Sequence, residues 1–237
     1  MNPIDLHISH FFSIVATQHH AVTSVLAQLS NSYFFRGQIV MLMLWWVWFY
    51  PGPDRVTRRQ VLVSALLACV IALAIGRAMV ATLPLRLRPS ENPVFHFPVP
   101  PLSAPHHPES SFPSDHAILF VGLATGLFLA SRRVGSLALA YIVPAILFPR
   151  LWLGFHFLSD LLAGALMGGG LVLLFYWSRI RSVVARPFLL LLDAKPHIFY
   201  AGLFFFSYQV AEMFDPMRAF VAYMHVHAAL FIVAIGH

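Results

Sequence analysis

Six stretches of the chain run almost unbroken through apolar residues: 34–50, 61–85, 114–131, 136–154, 157–178 and 197–214. A bilayer core of ~30 Å takes roughly 20 helical residues to cross, so the pattern predicts an all-α, polytopic membrane protein with a six-helix core. Residues 8–30 are also apolar, but Gln18, His19, His20 and Gln28 interrupt them, which fits a helix lying in the membrane interface. Residues 216–236 carry His225 and His227 and read as an extra helix, either a surface helix or a seventh span. The chain reads as a single membrane-embedded domain without internal repeats: 1–30 interfacial, 34–178 the first five spans, 197–214 the sixth. Between spans two and three, residues 86–113 form a long irregular stretch rich in Pro, Ser and His, and loops of that length usually serve function.

Composition narrows the class. Only 10% of the 237 residues are charged and 59% are hydrophobic, against roughly 25% charged in a soluble domain. The formal charge of +6 is scattered over loop positions and forms no basic stripe, so no nucleic-acid partner is expected. Cys69 is the only cysteine, which excludes an intrachain disulfide. Residues 1–30 hold no Lys or Arg and so lack the basic start of a cleavable signal peptide.

Loop cations set the orientation. Arg55, Arg58, Arg59, Arg132, Arg133, Arg179, Arg181, Arg186 and Lys195 fall on one side, expected to be cytoplasmic. Arg36, Arg86, Arg88, Arg150 and Arg218 fall on the other, at the exterior or periplasmic face of a bacterial plasma membrane.

Three segments meet that outer edge. The first, motif region 77–89, ends Pro84-Leu-Arg86-Leu-Arg88-Pro89; the second, 112–116, reads Phe112-Pro113-Ser114-Asp115-His116; the third, 150–160, reads Arg150-Leu-Trp-Leu-Gly-Phe-His156-Phe-Leu-Ser-Asp160. A helix starting near Pro113 offers unpaired N–H groups and a positive dipole end to an anion. Ser114 adds a hydroxyl donor there, and His116 stands ready to protonate a departing oxygen. If His156 lies in a helix, Asp160 shares its face and the carboxylate meets the imidazole, fixing the tautomer and leaving the other nitrogen free to attack. Arg150 suits a phosphate, because its fork matches phosphate geometry and keeps its charge. The set points to phosphoryl transfer on a lipid.

These segments resemble the type 2 phosphatidic acid phosphatase superfamily, whose three motifs read K-x6-R-P, P-S-G-H and S-R-x5-H-x3-D. Here the second is Pro113-Ser114-Asp115-His116, and the third is Pro149-Arg150 with His156 and Asp160 at the family spacing. The resemblance implies a six-helix core, no metal or cofactor, and a membrane lipid as partner. It implies His156 as the nucleophile of a phosphohistidine intermediate, Asp160 orienting it, His116 as general acid, and Arg88, Arg150 and Ser114 gripping the phosphoryl oxygens. Three positions depart from the pattern. Ala81 stands where the family has lysine, Asp115 where it has glycine, and Pro149 where it has serine. Arg77, four residues before Ala81 on the same helix face, is the first choice to replace the missing charge; Arg86 is the other.

The implied function is hydrolysis of a lipid phosphomonoester or pyrophosphate at the outer membrane face. An isoprenyl (undecaprenyl) pyrophosphate is the leading substrate, with phosphatidic acid or phosphatidylglycerol phosphate next. Two rivals use the same residues: a phosphotransferase that passes the group to another lipid or to a sugar, and a relative that binds phospholipid without turnover. A haem or metal protein built on the 13 histidines leaves Arg88, Arg150 and Asp160 unexplained.

Overall fold

The computed structural model describes residues 2–32, 34–98, 110–217 and 223–224. Nine helices order the described residues: α1 (Pro3–Gln18), α2 (His20–Asn31), α3 (Phe34–Phe49), α4 (Arg55–Thr82), α5 (Asp115–Ala130), α6 (Arg132–Trp152), α7 (Leu158–Tyr176), α8 (Ser178–Ala194) and α9 (Pro196–Ala211). Most of the expected extra helix over 216–236 falls outside the described residues, as does the 99–109 portion of the long loop.

Three helices, α4, α6 and α7, are long and apolar enough to cross a bilayer, and α3 and α5 are shorter apolar helices. The described residues are all-helical, and these apolar helices mark a membrane protein. The expected spans match helices in position to within six residues at each end, but half of them are shorter than roughly 20 residues.

Helix α5 is the hub. Ala117, Ile118, Leu119, Phe120, Leu123, Ala124 and Leu127 are all buried, so its apolar surface runs all round. A helix of that kind belongs in the middle of a bundle, and α4, α6 and α7 surround it. The close approach of α5 to α7 depends on Gly168, where any Cβ would collide with the Ile118 carbonyl oxygen. Gly169 and Gly170 have more room, and nothing lies within 4 Å of a Cβ built on Gly170. One glycine of the triplet makes the contact.

Three sequence expectations change. Residues 8–30 form two helices broken at His19, and both pack against the last turn of α6; Phe12 meets Phe148 and Trp152, and the Trp152 indole N–H donates to Thr23 at 3.0 Å. The charged run around Arg179, Arg181 and Arg186 is helix α8, which rests on α4 and α9. The sequence cluster Trp45, Trp46, Trp48 and Tyr50 at the end of the first span reads as an interfacial aromatic belt, but Trp48 is buried, stacked on Phe199 with the Arg59 guanidinium 5.0 Å from its ring. Trp46 and Tyr50 keep the exposure a belt requires.

The ends of the helices form two groups. Arg58, Arg133, Tyr50 and Ser131 gather at the start of α4 and the junction of α5 with α6. The end of α4, the start of α5 and the turn from α6 to α7 gather at the opposite end. All three motifs lie there.

Candidate active site

Each motif is shaped by local chain chemistry. Ser114 is the N-cap of α5, fully buried, its Oγ facing the Ala117 N–H at 3.5 Å and its own N–H donating to the Asp160 carbonyl at 3.3 Å. This cap starts the helix so that His116 projects from its first turn. In the third motif, α6 ends at Trp152 and the chain reverses through Gly154, whose φ of 69° is open to glycine at little cost. A Cβ there would also come within 2.9 Å of three atoms of the Phe97 ring. The Arg150 carbonyl accepts from the N–H groups of Phe155 at 2.9 Å and His156 at 3.3 Å, and the Ser90 N–H clasps the Gly154 carbonyl at 2.9 Å. The turn thereby brings Arg150 and His156 to the same opening.

That opening is a cavity of about 390 Å3. Arg77, Arg88 and Arg150 line it together with His116 and His156. Val80, Ser110, Pro113, Asp115, Phe155, Met213 and Asp215 complete the wall. Three guanidinium groups and two imidazoles around one hollow make a receptor for a compact anion with several oxygens.

The two histidines differ in their partners. The His156 ring is buried, and its Nδ1 lies 2.9 Å from the Ser111 carbonyl oxygen. A carbonyl only accepts, so Nδ1 carries the proton and Nε2 keeps its lone pair. Burial, then the positive charges of Arg88 and Arg150, hold the imidazole far below its usual range, at about 3, so it is neutral at any physiological pH. His116 Nε2 lies 2.7 Å from Arg150 Nη2. A guanidinium only donates, so this nitrogen is unprotonated while the bond is made.

Asp160 and His156 are arranged differently from the helical expectation. His156 precedes α7, and Asp160 sits in the first turn of that helix. The carboxylate accepts from the Phe157 N–H at 2.8 Å and lies 3.9 Å from His156 Nδ1, beyond hydrogen-bond reach. The Ser111 carbonyl makes the bond that the sequence assigns to Asp160. Asp160 anchors the residue after the histidine and supplies a nearby negative charge.

Arg86 and Ser114 also stand apart from the cavity wall. Arg86 donates to Asp160 at 2.6 Å, Ser159 at 3.0 Å and Asp5 at 2.7 Å, with its guanidinium 4.4 Å from the Phe157 ring. Its backbone carbonyl accepts from the Ser111 N–H at 2.8 Å, which helps hold the carbonyl that orients His156. Arg77 lines the cavity and forms an ion pair with Asp115 at 3.1 Å, so the candidate replacement for the family lysine is paired with the acid that stands in place of the family glycine. Among the described residues, no three His, Cys, Asp or Glu side chains converge as a bound metal ion requires.

Three residues here carry no signal in the sequence. Ser111 acts through its backbone, which any residue provides. Asp215 lines the cavity and pairs with Arg36 at 3.4 Å, the two being 179 positions apart. Asp5 is a single acid in an N-terminal helix, where a dipole role explains it equally well.

Comparison with known proteins agrees with these motifs. The chain is 30% identical over 138 residues to the bacitracin transport permease protein BcrC of Bacillus licheniformis, covering 58% of this chain and 62% of that protein. No solved structure matches. A family model described as the PAP2 superfamily matches residues 61–183, more than half of the sequence and all three motifs, and the chain belongs to that superfamily.

Proposed function

We propose that the protein is a membrane lipid phosphatase acting on an isoprenyl pyrophosphate of the undecaprenyl type through a phosphohistidine. The observation that carries this is the His156 ring, with its Nδ1–H donated to the Ser111 carbonyl and the other nitrogen left unprotonated at a cavity ringed by Arg77, Arg88 and Arg150. Membership in the PAP2 superfamily and similarity to BcrC support phosphatase chemistry on a lipid. Three cations suit a pyrophosphate, whose two phosphoryl groups offer more charge to neutralise than a single ester does.

The reaction follows from the wall. The terminal phosphate takes the forks of Arg88 and Arg150, which frees His116 Nε2 to bind a proton from solvent. His156 Nε2 attacks the terminal phosphorus, the P–O bond to the lipid phosphate breaks, and His116 passes its proton to the departing oxygen. Water then attacks the phosphorus and gives a proton to His116 as the P–N bond breaks, releasing inorganic phosphate and free His156. The arginines neutralise charge spread over the phosphoryl oxygens in both steps.

The six-helix core is read as α3 to α7 plus α9, with the cavity at the outer face. The gathering of Arg58 and Arg133 at the opposite end supports that orientation.

Phosphate release from isoprenyl pyrophosphate, phosphatidic acid and phosphatidylglycerol phosphate, measured in detergent with chelator, tests the activity. Release from the pyrophosphate by wild type, lost in His156→Ala, with a labelled acid-labile protein adduct trapped in wild type alone, is the expected result. Release by His156→Ala at the wild-type rate overturns it. Labelling of single cysteines introduced at Arg55 and Ser110 with an impermeant maleimide, in a Cys69→Ser background, tests which face is outside.

A further inference from the structure

We infer that Asp5, on the N-terminal helix and outside the matched family region, is a positioning residue that neutralises Arg86 so that the Asp160 charge acts on His156. The inference rests on the phosphatase reading above.

Asp5 is buried, and both of its oxygens are used. One accepts from the Ser159 N–H at 3.1 Å; the other accepts from the Ser159 hydroxyl at 2.6 Å and from Arg86 at 2.7 Å. Arg86 spends its remaining reach on Asp160 at 2.6 Å. One guanidinium thus bridges two buried carboxylates, one from outside the matched region and one from within it. Two anions and one cation leave one net negative charge beside the nucleophile's ring. Asp160 Oδ2 is the nearest part of it, 3.9 Å from His156 Nδ1.

That residual charge matters when the ring becomes positive. Phosphoryl transfer to Nε2 turns a neutral imidazole into a cationic phosphoimidazolium, in a pocket whose other near charges include Arg88 and Arg150. A negative charge behind the ring offsets that development, and at low local dielectric the interaction is stronger than in water. Without Asp5, Asp160 is cancelled by Arg86 and the ring faces arginines alone. Asp5 also fixes Ser159, the residue before Asp160, so it sets position and charge together.

The other contacts of the N-terminal helices supply the control. Thr23 accepts from Trp152 at 3.0 Å and donates to the Ala16 carbonyl at 2.8 Å, tying α2 to α6 without touching the cavity. If the N-terminal helices only brace the bundle, loss of either anchor has similar consequences.

The test compares wild type, Asp5→Asn, Arg86→Gln, the double variant and Thr23→Val on the lipid that wild type hydrolyses, with thermal melting of each. Asp5→Asn is expected to lower kcat about tenfold or more with KM within about twofold. Thr23→Val is expected to keep kcat within about twofold. The double variant restores one net negative charge and is expected to be faster than Asp5→Asn alone; a purely structural role predicts that the two losses multiply. Wild-type activity with an unchanged kcat in Asp5→Asn, or losses that multiply in the double variant, overturns the inference and leaves the phosphatase reading intact. Absence of phosphate release by wild type overturns that reading and the inference with it.

Discussion

The His156 ring donates its Nδ1–H to the Ser111 carbonyl oxygen, 2.9 Å away, and so presents a bare Nε2 to the cavity. A backbone carbonyl orients a histidine without adding charge. It is held in turn by the Ser111 N–H bond to the Arg86 carbonyl. The His156 tautomer is therefore set by a backbone carbonyl that a backbone hydrogen bond holds in turn, joining Arg86 of the first motif, Ser111 just before the second and His156 of the third.

Burial of that neutral ring makes stability depend on pH. The imidazole is held at about 3 in the folded protein, against about 6.5 in an unfolded chain. Below 6.5 the unfolded state binds a proton that the folded state refuses, so this contribution is complete above about pH 6.5 and is lost as pH falls from there toward 3. The slope contributed by one such group is at most about 1.4 kcal/mol per pH unit. Melting temperature between pH 7 and 4 should fall more steeply for wild type than for His156→Gln, and equal slopes contradict the assignment.

In the proposed reaction His116 protonates the departing oxygen, so its loss should depend on what departs. General acid catalysis contributes about 10^2- to 10^4-fold, so His116→Ala should lower kcat by that order on a lipid pyrophosphate. An aryl phosphate, whose phenolate leaves without a proton, should suffer far less in the first step. A loss of the same size on both substrates, measured as burst rates, shows that His116 does something else.

Much of this arrangement is legible in the sequence, and the failures have physical causes. The apolar runs locate helix ends closely because each run must fill a bilayer or a core. The motif spacing identifies Arg88, Arg150, His116 and His156, which the fold brings to one wall. Two errors come from assuming regular local geometry. His156 lies in a turn made by Gly154, so the four-residue spacing to Asp160 does not give a helical face contact. Arg86 and Arg88 differ by two positions and share a chemistry, but one binds carboxylates behind the site while the other lines it. Only their distant partners, Asp5 among them, separate the two. Helix α8 escaped because its arginines read as a loop, although its buried Ala185 and Leu192 line one helical face.

That division between Arg86 and Arg88 predicts opposite phenotypes for the same substitution. Lysine keeps the charge but loses the bidentate fork. Arg88→Lys should weaken the grip on phosphate, lowering kcat/KM by about 10- to 100-fold at little cost in melting temperature, since a good charge-assisted bond contributes about 1.5–3 kcal/mol. Arg86→Lys cannot reach Asp5, Ser159 and Asp160 together and should destabilise the fold by about 2 kcal/mol. Melting curves and steady-state kinetics on both variants decide it: matching profiles for the two would refute separate roles.

The turn through Gly154 should be the most sensitive position without a polar side chain. Its φ of 69° lies in the left-handed region, where a non-glycine residue costs about 1–3 kcal/mol. Alanine there also drives a methyl group to within 2.7 Å of the Phe97 ring, which is itself buried against Phe95. Relief requires the turn to move, and the turn carries the N–H groups of Phe155 and His156 that close on the Arg150 carbonyl. Gly154→Ala should therefore lower stability by about 2–4 kcal/mol and lower kcat by at least about 100-fold, since small misplacements of a reacting group cost that much. A second substitution, Phe97→Ala, removes the collision but not the backbone strain. It should recover part of the activity of Gly154→Ala, and complete recovery would assign the whole effect to the ring contact.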